Sequence, residues 1–128
     1  MEKYAYHYPT LMKIITLKNE GKSVKDFFYK NGMYNIAIYG AGELGKYIYL
    51  ELEGTGITVD SFIDRNYQKF PQGLYDIPVV GTISDKNIDA VVVTVLYESN
   101  SITDFLLQQG LPLTRIINLN DVVYGVDS

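Results

Sequence analysis

The residues best placed to do chemistry in this chain are three glycines. The stretch Tyr39-Gly-Ala-Gly-Glu-Leu-Gly-Lys46 carries Gly40, Gly42 and Gly45 in the spacing G-x-G-x-x-G. Between a strand and a helix, that spacing is suited to a phosphate. Gly40 permits the tight turn, Gly42 lets backbone approach a pyrophosphate, and Gly45 lets the helix pack closely on the strand. The helix N-terminus then offers free N–H groups and the positive end of its dipole. Ala41, Glu43 and Leu44 complete the loop. Glu43 falls in the first helical turn, where its carboxylate can satisfy the dipole without a phosphate, repel one, or point outward. The alternative for Gly40 and Gly45 is that backbone geometry alone requires them, in a domain with no ligand.

Asp64 follows Gly45 by 19 residues (45 to 64). The dinucleotide-binding pattern places an acid about 20 residues on, where it hydrogen-bonds a ribose hydroxyl. Asp64 is therefore expected to contact a ribose; its alternative is to start the turn Asp64-Arg-Asn66. An acid favours the free 2′-hydroxyl of NAD, whereas the adjacent Arg65 can accept a 2′-phosphate or stack on adenine. The pair leaves NAD and NADP both open.

Composition removes other chemistries. The chain has 128 residues, no cysteine and one histidine, His7, so disulfides, thiolate metal sites, His-based metal clusters and a Ser-His-Asp triad are excluded. Net charge is −4, and the Lys and Arg residues are scattered, giving no basic footprint for nucleic acid or anionic lipid. The first residues lack the apolar run of a signal peptide, and no stretch approaches a membrane span, so a cytoplasmic protein is expected. None of the twelve tyrosines has a lysine four residues on, as a Tyr-x-x-x-Lys dehydrogenase pair would require. His7 reads as a surface histidine, and Tyr4, Tyr6 and Tyr8 beside it as packing or a subunit contact. Glu51 and Glu53 read as solvated charges.

The elements that must hold the loop are legible from periodicity. Leu11, Met12, Ile14, Ile15 and Leu17 predict a helix after Pro9-Thr10 that stops at Gly21. Ser23-Val-Lys-Asp26 predicts a capping box opening a second helix that ends at Gly32. Strands are predicted over 35–39, 57–63, 77–80, 90–96 and 115–119, with helices over 43–54 and 99–109 and a short element over 121–124. Pro78 makes 77–80 an edge strand, and the apolar run 90–96 a central one. The expected fold is α/β: a Rossmann-like open, mostly parallel sheet of about five strands (35–128), with two leading helices as an N-terminal extension (1–34). In such a sheet ligands sit beyond the C-terminal strand ends where strand order reverses. That makes Thr94, Glu98, Ser99 and Asn100 further candidates, against a polar loop with Ser99 as a helix N-cap.

The series NIAIYGAGELGKYIYLEL, ITVDSFIDRN, DIPVVG, DAVVVTV and RIINLNDVV resembles Rossmann-like domains of bacterial surface-polysaccharide systems. The resemblance covers about residues 35–123. It implies a nucleotide-binding fold in which Gly40, Gly42, Gly45 and Asp64 match the ligand-loop positions. It implies NAD(P) or a nucleotide-sugar as ligand, and a glycosyltransferase or methyltransferase as partner. Neither the repeat domain of the related O-acyltransferases nor the catalytic half of the related dehydratases is present, and Glu43-Leu44 replaces the glycine-His pair common in the acyltransferase loop. The expected function is a non-catalytic, homodimeric binding module. Its rivals are a small NAD- or sugar-nucleotide-dependent enzyme needing a partner chain, and a ligand-free interaction scaffold.

Overall fold

The computed structural model describes residues 2–83, 85 and 87–128, with side chains from residue 5 onward. Five strands form one sheet: β1 (Asn35–Tyr39), β2 (Thr58–Ile63), β3 (Val79–Val80), β4 (Ala90–Val93) and β5 (Ile116–Asn118). Their order is β3-β2-β1-β4-β5 and every pairing is parallel, so the sheet is Rossmann-like and open, and wholly rather than mostly parallel. Alternation along β1 sends Ile36 and Ile38 to one face and Ala37 and Tyr39 to the other. All four residues of β4 are buried, as a strand covered on both faces requires. The register between β1 and β2 shifts once, at Ile36/Ala37, where Asp60 is the extra residue.

Helices cover the two faces unequally. On one face lie α1 (Glu2–Asn19), α2 (Lys25–Lys30), α3 (Glu43–Leu52) and α5 (Leu119–Gly125). Leu44, Ile48 and Leu52 recur every four residues along α3 and give it a buried stripe. On the other face, α4 (Ser99–Gln108) inserts Ile102 and Leu106 over Ala37, Ile63, Val91 and Val93. The two leading helices belong to the first core. Ile14, Leu17, Val24 and Phe28 are each 1% exposed or less. Burying each such side chain contributes roughly 2 kcal/mol, so this extension is integral to the fold.

Several elements depart from expectation. α1 does not wait for Pro9; it starts at Glu2 and runs through the proline. Pro9 and Ala5 lie on the exposed side, so water can satisfy the Ala5 carbonyl that Pro9 cannot serve. The Ser23 N–H donates to Asp26 Oδ2 at 3.0 Å, one arm of the capping box. The Ser23 hydroxyl takes the Lys25 N–H at 3.4 Å instead of the expected third amide. β4 stops at Val93, and a 3-10 turn (Leu96–Glu98) leads into α4. Glu98, not Ser99, stands at the N-cap of α4, without a side-chain cap. Glu51 is not solvated: its side chain is 12% exposed and pairs with Lys18 at 2.8 Å. The stretch between β2 and β3 holds a 3-10 turn (Tyr67–Lys69) and a tight turn closed by reciprocal Leu74 and Ile77 backbone bonds. Tyr75 (φ 52°) and Asp76 (φ 64°) occupy the left-handed region at its centre, and Tyr75 stacks on Tyr49.

Candidate functional site

The strand order reverses between β1 and β4, and the glycine loop sits at the C-terminal end of β1. This is the crevice in which open α/β sheets place ligands. Gly40 has φ +115°, and a Cβ there would lie 2.9 Å from Val95 Cγ2 and nearer still to Thr94 Oγ1. A Cβ on Gly45 would lie 3.1 Å from the Gly40 carbonyl carbon and nearer still to its oxygen, because α3 presses its first turn against the end of β1. The fold itself therefore requires both glycines.

Gly42 differs. It is the N-cap of α3 with an extended backbone (φ −88°, ψ −164°), and a Cβ on it would meet nothing within 4 Å. Neither strain nor packing calls for glycine there. No side chain caps α3, so its first amides have no side-chain partner at the N-cap.

Asp64 ends β2 and turns its carboxylate onto the loop. Oδ2 accepts the Ala41 N–H at 2.8 Å, and Oδ1 accepts the Asn66 N–H at 2.7 Å. The acid thus pins the glycine loop and opens the turn at 64–66; both oxygens keep a further lone pair for an outside donor. Thr94 is 3% exposed, and its hydroxyl donates to the Tyr39 carbonyl at 2.7 Å, fixing β4 to β1 just under Gly40. Arg65 is 70% exposed and bonds Glu98 Oε2 at 3.0 Å. This pair spans from the end of β2 to the turn after β4, over the end of β1.

These residues enclose a cleft of about 170 Å³, with Gly40, Gly42, Glu43, Leu44 and Gly45 on one side and Asp64, Thr94, Val95 and Tyr97 on the other. That volume falls short of the roughly 300 Å³ at which drug-sized sites begin, and is in the range of a phosphate with part of a sugar. Two further grooves continue from it. One of about 180 Å³ lies beside the Arg65–Glu98 pair and shares Asp64, Val95 and Tyr97 with the first. The next, of about 290 Å³, passes Tyr39, Arg65, Tyr67 and Phe105. The Tyr39 phenol is held above its ordinary range by burial; Asp64 and Glu98 add to the shift and Arg65 opposes it.

The predicted loop, Asp64, Arg65 and Thr94 thus converge on one crevice. Ser99 and Asn100 do not; they line a separate open groove beside Asn118 and Asp121. Glu98 lines the neighbouring groove together with Arg65, Asp64 and Tyr97. Tyr39, His7, Val95 and Tyr97, which sequence reasoning missed, are also there. Tyr39 was legible as the last residue of β1 but not as a groove wall. His7, read as a surface histidine, is half-buried and lines the glycine-loop cleft. It gets there because α1 extends seven residues N-terminal of Pro9, past where the sequence started it. Among the described residues no group of three or more His, Asp or Glu could hold a metal ion. No helix among them is long and apolar enough to cross a membrane. No protein-family model matches the chain, and no curated protein is significantly similar to it.

Proposed function

We propose that this protein is a binding module, without catalysis of its own, for a nucleotide, dinucleotide or nucleotide-sugar seated at the C-terminal edge of the sheet. The phosphate would lie on the first turn of α3, against Gly42. The ligand would be NAD(P) or a nucleotide-sugar, and the setting cytoplasmic surface-polysaccharide biosynthesis, beside a glycosyltransferase or methyltransferase. The observation that carries this reading is Gly42. Gly40 and Gly45 are explained by the fold, whereas Gly42 has ordinary backbone angles and empty space beside it. A ligand approaching the backbone gives that position a reason to lack a side chain. The absence of catalysis is supported by Asp64 and Thr94, whose side chains serve backbone partners of the loop and strand rather than a second side chain.

Self-association belongs to the same proposal. Tyr8, Leu11, Met12 and Ile15 lie at helical spacing on α1, and all are exposed, Tyr8 by 67%. A symmetric dimer through this stripe would cover it. Calorimetry with NAD, NADP, UDP-sugars, CoA and ATP tests the ligand. At least one should bind, and Gly42→Val should abolish that binding while the protein stays folded. No binding by any of them at millimolar concentration overturns the reading.

A further inference from the structure

We infer that Glu98 is a specificity-determining residue of the crevice: by holding Arg65, it makes the site take a ribose with free hydroxyls and turn away one that carries a phosphate; this rests on the nucleotide reading of the crevice and says which nucleotide it admits. Position 98 is the N-cap of α4, where a polar side chain ordinarily turns back onto the free amides of the first turn. Glu98 makes no such bond. Its backbone is fixed on both sides: its N–H donates to the Val95 carbonyl at 3.2 Å, and its carbonyl accepts the Ser101 hydroxyl at 3.0 Å. The side chain instead reaches towards the end of β2, where Oε2 accepts from Arg65 Nη2 at 3.0 Å.

The charged residues that line the groove of about 180 Å³ beside this pair, among those described, are two carboxylates, Asp64 and Glu98, and one guanidinium, Arg65. Asp64 also lines the glycine-loop cleft, so it stands where the two spaces meet. Each of its oxygens accepts one backbone N–H and keeps a lone pair. As a carboxylate it can accept from a ribose hydroxyl and has nothing to donate to a phosphate oxygen. Arg65 is the charged donor that could serve a phosphate there, and Glu98 already engages it. An incoming phosphate must either share the guanidinium with a carboxylate that repels it or displace that carboxylate. The ion pair is exposed, so displacing it lowers affinity by only about twofold to fivefold. Like-charge repulsion from Glu98 and Asp64 adds to that loss. A neutral hydroxyl meets neither penalty.

NAD and NADP differ by one phosphate on the adenosine ribose, so calorimetric titration of the full chain with each reads the effect directly. In about 0.1 M NaCl the wild type should bind NAD roughly tenfold more tightly than NADP. Glu98→Gln should narrow that gap about threefold to fivefold, by tightening NADP rather than weakening NAD. The gain should vanish in Arg65→Gln/Glu98→Gln, which has no guanidinium to release, and should shrink in Glu98→Gln at about 1 M NaCl. A wild type that binds NADP as well as NAD or better, or a gap that Glu98→Gln leaves unchanged, overturns the inference. If neither dinucleotide binds but a UDP-sugar does, the nucleotide reading stands and the inference falls. If no nucleotide binds, both fall. The comparison is a ratio taken within each protein, and the wild-type ratio does not depend on any variant folding.

Discussion

Adding one methyl group at two positions of the same loop should give opposite results. In Gly45→Ala the new Cβ meets backbone: 3.1 Å to the Gly40 carbonyl carbon, with the oxygen nearer still. Backbone cannot swing aside as a side chain can, so α3 must lift off the end of β1. Overpacking of this kind costs about 1–3 kcal/mol, and a backbone obstacle belongs at the upper end. Gly45 lies inside α3, where Ala is favoured over Gly by about 1 kcal/mol, which offsets part of the cost. The net expectation is a loss of about 2 kcal/mol. For a domain of this size that lowers Tm by roughly 8 °C, at about 4 °C per kcal/mol. Gly42→Ala meets nothing within 4 Å and needs no unusual φ, so its effect should stay within about 0.5 kcal/mol. Thermal melts followed by circular dichroism, checked by urea titration, measure both. A Gly45→Ala protein melting within 2 °C of wild type, on the order of 0.5 kcal/mol, would refute the close approach of α3 to β1. A Gly42→Ala protein destabilised as much as Gly45→Ala would show that the fold needs all three glycines, removing the main support for the proposed function.

Three other outcomes are expected. Asp76→Gly should stabilise the protein by about 0.5 kcal/mol, because relief of left-handed strain at φ 64° slightly exceeds the added entropy of the unfolded chain; the urea midpoint should rise with an unchanged slope. Asp127 is held below its ordinary carboxylate range by hydrogen bonds from Lys22 and Lys13. Its contribution is therefore present above the unfolded-state value, near pH 4, and lost as pH falls through the lowered folded value; Asp127→Asn should flatten the acid limb of the stability profile at low salt and have less effect at 1 M NaCl. Light scattering should show a dimer for the wild type and a monomer for Leu11→Lys/Met12→Lys, both folded; a wild-type monomer at high micromolar concentration sinks the dimer. Point changes suit this test better than removal of residues 1–22, which would delete the buried Ile14 and Leu17.

How much could be read beforehand follows from which forces act locally. The alternation of Ile36 and Ile38 against Ala37 and Tyr39, the apolar run of β4 and the four-residue spacing along α3 are burial patterns, and burial is written into sequence. The glycine loop and Asp64 were legible because strand, turn and helix are contiguous there. Their detailed roles were not: that Asp64 grips Ala41, and that Thr94 is what Gly40 must avoid, are contacts between distant segments. Local rules misled at Pro9. A proline usually opens a helix, but here packing of Ile14 and Leu17 fixes α1 and the exposed face tolerates the lost bond. His7 was misplaced for the same reason. Glu51 was misread because its partner, Lys18, is 33 residues away.

The bonds between α1 and the last helix also bear on how the chain assembles as it is made. Thr10 is matched with Asn120 across 110 positions, and Lys13 and Lys22 with Asp127. α1 leaves the ribosome among the first residues of this sequence, but its polar partners are translated among the last. Until then Ile14 and Leu17 can meet only part of their eventual surroundings. Closure of the N-terminal layer therefore waits for the residues that form and follow α5.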